Sequence, residues 1–123
     1  MKPSISEAEW QVMKVIWQAP PKALPDILSS LRDTAWSQTT IQTYLARLIK
    51  KGVISARREG KGYLYSPLIS REECEMEKGR SFLESVYDGS LTGMVSGFVK
   101  SGAISPEEIS QLRQLLREHE ENA

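Results

Sequence analysis

Apolar side chains recur every three or four residues through the first part of the chain. Trp10, Met13, Ile16 and Trp17 form one set, Leu24, Ile27, Leu28 and Leu31 a second, and Ile41, Leu45, Leu48 and Ile49 a third. That interval stacks each set on one face of a helix, which predicts helices over Ser6–Gln18, Ala23–Arg32 and Ser37–Gly52. Pro20-Pro21 stops the first. Pro25 lies in the first turn of the second, where its missing N–H is harmless. Gly52 is the residue type suited to a helix that turns out through positive φ. The period then falls to two. Val53–Arg58 and Tyr63–Ser66 are extended segments, separated by the glycine-rich turn Glu59-Gly60-Lys61-Gly62.

After Pro67 the helical period returns, near Ser70–Tyr87, Ser90–Lys100 and Ser105–Glu118. Leu91, Met94, Val95, Phe98 and Val99 make a complete stripe, and Ile109, Leu112, Leu115 and Leu116 another. One start signal marks three helices: Ser6 precedes Glu9, Ser70 precedes Glu73, and Ser105 precedes Glu108. In such a box serine and glutamate satisfy orphan N–H groups reciprocally. An apolar staple flanks each: Ile5 with Trp10, Ile69 with Cys74, and Ile104 with Ile109. Pro106 adds a favoured first helical residue to the last.

Three helices followed by a hairpin predict a mainly α fold with a small β-hairpin wing. The division is a winged helix-turn-helix domain over residues 1–69 and a helical dimerisation region over 70–123. The later stripes exceed what so short a segment buries alone, and a second copy of the chain would cover them. Leu91, Val95, Phe98, Ile109, Leu112 and Leu116 are the candidate contacts.

The 123 residues carry no net charge, yet the charges are segregated. Residues 1–70 hold 10 Lys and Arg against 5 Asp and Glu; residues 71–123 hold 6 against 11. A half at +5 joined to a half at −5 suits a first part that meets a polyanion and a second with another task. The single cysteine, Cys74, rules out an internal disulfide and fits a reducing cytoplasm. The first residues, MKPSISEAEW, contain no signal-type apolar run, and no stretch approaches a membrane span. The expectation is a cytoplasmic protein without membrane insertion.

The third helix carries the chemistry. Opposite its apolar sector stand Thr39, Thr43, Arg47 and Lys50, with Thr40 and Lys51 on one shoulder and Gln42 and Ala46 on the other. Threonine and glutamine do little for an exposed helix but can reach base edges: glutamine pairs with adenine, and threonine offers a hydroxyl and a methyl for thymine. Thr39, Thr40, Gln42 and Thr43 are therefore the expected base readers. Ser37, Arg47, Lys50 and Lys51, with Arg57, Arg58 and Lys61 of the wing, are the expected backbone contacts. A merely solvated face is the plainer alternative. Against it stand the basic first half and the basic hairpin that follows this helix.

Other chemistry is thin. His119 has no second histidine or nearby cysteine, so no metal site is expected. Cys74 admits a redox role or a packed one. No catalytic set or phosphate-binding loop is evident, and neither an enzyme nor a cofactor is expected.

The stretches ISEAEWQVMKVIW, WSQTTIQTYLARLIKKGVI, EGKGYLYSPLIS, FLESVYDGSLTGMVSGFV and ISPEEISQLRQLL together resemble the BlaI/MecI/CopY repressor family over nearly the whole chain. The resemblance implies a homodimeric repressor of resistance or stress genes on a palindromic double-stranded DNA operator. In the antibiotic-resistance branch it also implies a membrane sensor-protease pathway that triggers repressor cleavage before a phenylalanine. Phe98 matches that residue, and Gly97 stands where the resistance repressors have asparagine. The copper branch ends in a cysteine-rich cluster, whereas this chain ends LREHEENA. A reading from another class is a winged-helix module that docks on protein rather than DNA.

Overall fold

A computed structural model describes residues 4–123. The order is α1 (Glu7–Gln18), β1 (Lys22–Ala23), α2 (Leu24–Ser30), α3 (Gln38–Lys50), β2 (Ile54–Glu59), β3 (Gly62–Pro67), α4 (Arg71–Tyr87), α5 (Leu91–Ser101) and α6 (Pro106–Glu121). The chain forms two units, one ending at Gly79 and one comprising Arg80–Ala123, so the division falls within α4.

In the first unit, α1 starts at a complete capping box. The Ser6 N–H donates to Glu9 Oε1 at 2.8 Å, and the Glu9 N–H donates to Ser6 Oγ at 3.1 Å. The core joins Val12, Met13, Val15 and Ile16 of α1 to Ile27 and Leu31 around α2, to Ile41, Leu45 and Leu48 of α3, and to Val53, Ile54 and Cys74. Trp10 and Trp17 differ from expectation. They are only half-buried, while Val12 and Val15 fill the interior. The two indoles meet edge to face at 5.3 Å, and Trp17 Nε1 donates to the Ile69 carbonyl at 3.0 Å, so that ring keeps its polar edge on a partner. Ile49, expected inside, is 41% exposed. The buried side of α3 is a narrower stripe of Ile41, Leu45 and Leu48.

Gly52, at φ 77°, turns the chain out of α3 and into β2. β2 and β3 pair antiparallel from Ile54 with Pro67 to Glu59 with Gly62, which leaves Gly60 and Lys61 as the turn. A strand that periodicity did not predict completes the sheet: Lys22 pairs with Tyr65 and Ala23 with Leu64, giving the order β1-β3-β2. The wing is thereby stitched to the residues that open α2. The start of α4 packs on this unit through buried Cys74, and Lys78 Nζ donates to the Ile5 carbonyl at 3.1 Å.

In the second unit, Asp88 and Gly89 take positive φ, and Ser90 then caps α5, its Oγ accepting from the Gly93 N–H at 2.9 Å. Gly102 at φ 78° ends α5. Ser105 caps α6 by accepting from the Glu108 N–H at 3.2 Å. No side chain of α5 or α6, all of them described, is buried. Leu91, Phe98, Leu112 and Leu116 are exposed, and Val95 and Ile109 half-buried. Among the described residues no helix is long and apolar enough to cross a membrane.

Candidate nucleic-acid interface

The third helix, α3, is built from its cap upward. Ser37 is extended at ψ 166°, and its Oγ accepts the Thr40 N–H at 3.1 Å. The Thr40 hydroxyl lies 3.0 Å from the same oxygen. The first turn carries no acidic residue, so the positive end of the helix dipole faces outward without a carboxylate to offset it. Arg47 and Lys50 stand in the last turn.

Thr39 and Thr43 are exposed on the side opposite Ile41, Leu45 and Leu48, with Gln42 exposed on one shoulder and Thr40 half-buried on the other. Their free chemistry is unequal. Thr43 Oγ1 donates to the Thr39 carbonyl at 2.9 Å, which occupies its proton and leaves the oxygen only as an acceptor. Thr40 is engaged with the cap. Gln42, exposed on its shoulder, has both donor and acceptor for an adenine edge.

Arg47 stands over the Tyr44 ring, 5.9 Å from its centroid, and Tyr44 meets Trp36 edge to face at 5.1 Å. This aromatic shelf was not anticipated. Its signal was present in the sequence, since Tyr44 and Arg47 are three apart on a helix and therefore neighbours. On the wing, Arg57 Nη2 and Glu59 Oε2 are 3.6 Å apart and both well exposed, a contact worth about 0–1 kcal/mol that leaves the arginine able to exchange partners. Arg58 is opposite Tyr63 in the strand register, so the two side chains share one face of the hairpin. Arg58, Lys61 and half-exposed Tyr63 thus gather near its tip.

Lys51 departs from its expected role. Its ammonium lies 2.6 Å from Glu9 Oε1 and 2.8 Å from the Ser4 carbonyl. Glu9 is 1% exposed, so this lysine neutralises a carboxylate inside the domain rather than standing open at the surface with Lys50. Burial, the largest influence on Glu9, pushes its carboxyl up. The bond from Lys51, the bonds with Ser6 and the lysine charge together outweigh that and hold it below its ordinary value. Glu9 Oε2 has no partner among the described residues.

The described residues contain no cluster of His, Cys, Asp and Glu arranged to hold a metal. Donors and acceptors on an exposed helix, flanked by cations, are instead suited to the bases and phosphates of a groove.

The penicillinase repressor family model matches residues 5–118. The penicillinase repressor of Bacillus licheniformis is 42% identical over 118 residues, covering 95% of this chain and 92% of that protein. The methicillin resistance regulatory protein MecI of Staphylococcus aureus strain N315 is 33% identical over 113 residues, covering 91% and 92%. Among solved structures, the monomeric form of Bacillus licheniformis BlaI in complex with the blaP half-operator aligns with a TM-score of 0.52 and 42% identity, covering 59% of this chain and 90% of that one. The DNA-binding domain of the repressor BlaI aligns with a TM-score of 0.55 and 40% identity, over the same shares.

Proposed function

The chain belongs to the penicillinase repressor family, one of transcriptional regulators and not of enzymes, and from that premise we propose that it is a sequence-specific DNA-binding repressor acting as a homodimer on a palindromic operator. The observation that carries this reading is the exposed face of α3, whose short hydrogen-bonding side chains stand opposite a buried apolar stripe. In the proposed complex α3 enters the major groove. Gln42, Thr39 and Thr43 face the bases, with Thr40 beside them, while Ser37, Arg47 and Lys50 meet phosphates. Arg57, Arg58 and Lys61 hold the flanking backbone. A relative of the same build, 42% identical, is described in complex with a half-operator, which supports this arrangement.

The division of labour is a DNA-binding domain over residues 1–69 and a dimerisation region over 70–123. The dimer is held by Leu91, Val95, Phe98, Ile109, Leu112 and Leu116, which the single chain leaves without full cover. Two linked half-site contacts then bind far more tightly than either alone.

Kinship with resistance regulators supports a membrane sensor-protease pathway as the inducer, with cleavage between Gly97 and Phe98. That bond lies inside α5, so cutting requires the helix to open first. Gly97 eases opening, since a mid-helix glycine costs about 1 kcal/mol relative to alanine. Fragment termini from induced cells test this. A new N-terminus at Phe98 supports it, and intact protein under full derepression assigns induction to another signal, such as a ligand, a partner or a change at Cys74.

The main reading is tested by selecting bound sites from random duplexes and titrating them against salt. An enriched palindrome with a steep fall of affinity as salt rises is expected, because phosphate contacts release counterions. Binding without sequence enrichment or salt dependence would favour a protein-docking module.

A further inference from the structure

Resting on that DNA-reading role, we propose that Lys51 is a positioning residue: it sets operator discrimination without touching DNA, by tying the end of the reading helix to the start of α1. Lys51 is the C-cap of α3. Its ammonium joins Glu9 Oε1 at 2.6 Å and the Ser4 carbonyl at 2.8 Å, which fixes two of its three donors on the chain that enters and opens α1.

The lysine is held there by what would follow its departure. Glu9 is buried, Oε2 has no partner among the described residues, and Oε1 would keep only the Ser6 N–H. Moving the ammonium out to a phosphate would leave a buried carboxylate uncompensated, a strongly unfavourable exchange. Lys50, one residue earlier, is exposed and carries no such constraint.

The pair matters for reading because of leverage. Ile41, Leu45 and Leu48 hold α3 through apolar packing, which is non-directional. The bonds of Lys51 are directional and act at one end. Thr39 lies twelve residues away, or about 18 Å along the axis, so a tilt of ~5° about that end shifts it by ~1.5 Å. A shift of that size breaks a hydrogen bond to a base edge. Phosphate contacts made by long, flexible cations absorb it.

The test compares the parent, Lys50→Ala, Lys51→Ala and the double variant Glu9→Gln/Lys51→Met. Each is titrated on the duplex selected by the parent and on a random-sequence duplex of equal length, over a series of salt concentrations. Lys50→Ala is expected to lower the salt slope by about one on both duplexes. Lys51→Ala keeps the parent slope but loses about tenfold of the preference for the selected duplex, as for one misplaced base contact. The double variant leaves no buried charge, so it folds even where Lys51→Ala does not, and it shows the same loss of preference at the parent slope. A slope lowered as in Lys50→Ala, or undiminished preference in the folded variants, overturns the inference alone. A parent that neither prefers its selected duplex nor responds to salt overturns the DNA-reading role beneath it.

Discussion

Replacing Leu112 and Leu116 by aspartate is the sharpest perturbation of the proposed dimer. In the single chain Leu112 is 40% and Leu116 62% exposed, so together they leave roughly one leucine's worth of side chain open per protomer and two per dimer. Full burial of a leucine contributes about 1.5–3 kcal/mol, so removing both pairs weakens the dimer by roughly 3–6 kcal/mol, or ~10²–10⁴ in its dissociation constant. The aspartates add desolvation of four carboxylates on top of that loss, which makes the range a floor. Because neither leucine is buried within its own chain, far-UV circular dichroism should report unchanged helicity. Sedimentation equilibrium over a concentration series should move from dimer to monomer. Titration of a full operator should fall toward half-site affinity, while an isolated half-site binds as before. A variant that sediments as the parent does, or keeps full-operator affinity, would refute both the choice of face and the area argument behind it.

Gln42→Ala should relax preference at particular operator positions by about 1–3 kcal/mol while binding to random duplex is unchanged, as measured by competition among single-base variants. Thr43→Ala should act more weakly, since its proton already bonds the Thr39 carbonyl. Glu9, held below its ordinary value, binds fewer protons folded than unfolded, so its contribution is present above the ordinary glutamate range and is lost as pH falls through the lower folded value. Urea midpoints should therefore drop on acidification more steeply in the parent than in Glu9→Gln. Gly52→Ala meets no steric obstacle but must hold φ at 77°, which costs about 1–2 kcal/mol and should lower the thermal midpoint without altering the salt slope.

The helices and the hairpin were legible because their signals are local. Period, caps and turn glycines act within a few residues, and Ser6, Ser37, Ser90 and Ser105 all cap where a serine stands just before a helical apolar period. What escaped depends on distant parts of the chain. β1 is two residues long and has no alternation to detect; it exists because β3 lies beside it. The capping box identifies Glu9 as the partner of Ser6 but not that the approach of α3 buries it, and that burial in turn claims Lys51. Charge type alone places Lys51 and Lys50 in one class, and helical angle, which sets Lys51 on a shoulder, does not reveal the carboxylate that claims it. Ile49 shows the same limit: helical projection gives an angle, but the width of the buried stripe is set by what packs against it.

The two-residue strand β1 also bears on how copies of the chain avoid each other. With β1 laid along β3, the sheet has β2 as its long open edge, and that strand carries Arg57, Arg58 and Glu59 toward its tip. Charged side chains along an open edge discourage a second sheet from adding on. Had β1 been absent, β3 would offer Leu64 and Tyr65 on an unguarded edge, a template for unwanted association. Any protein that assembles with itself must close the wrong routes as well as open the right one. Lys22 and Ala23 close one with backbone bonds alone, so substitutions there other than proline leave the guard in place.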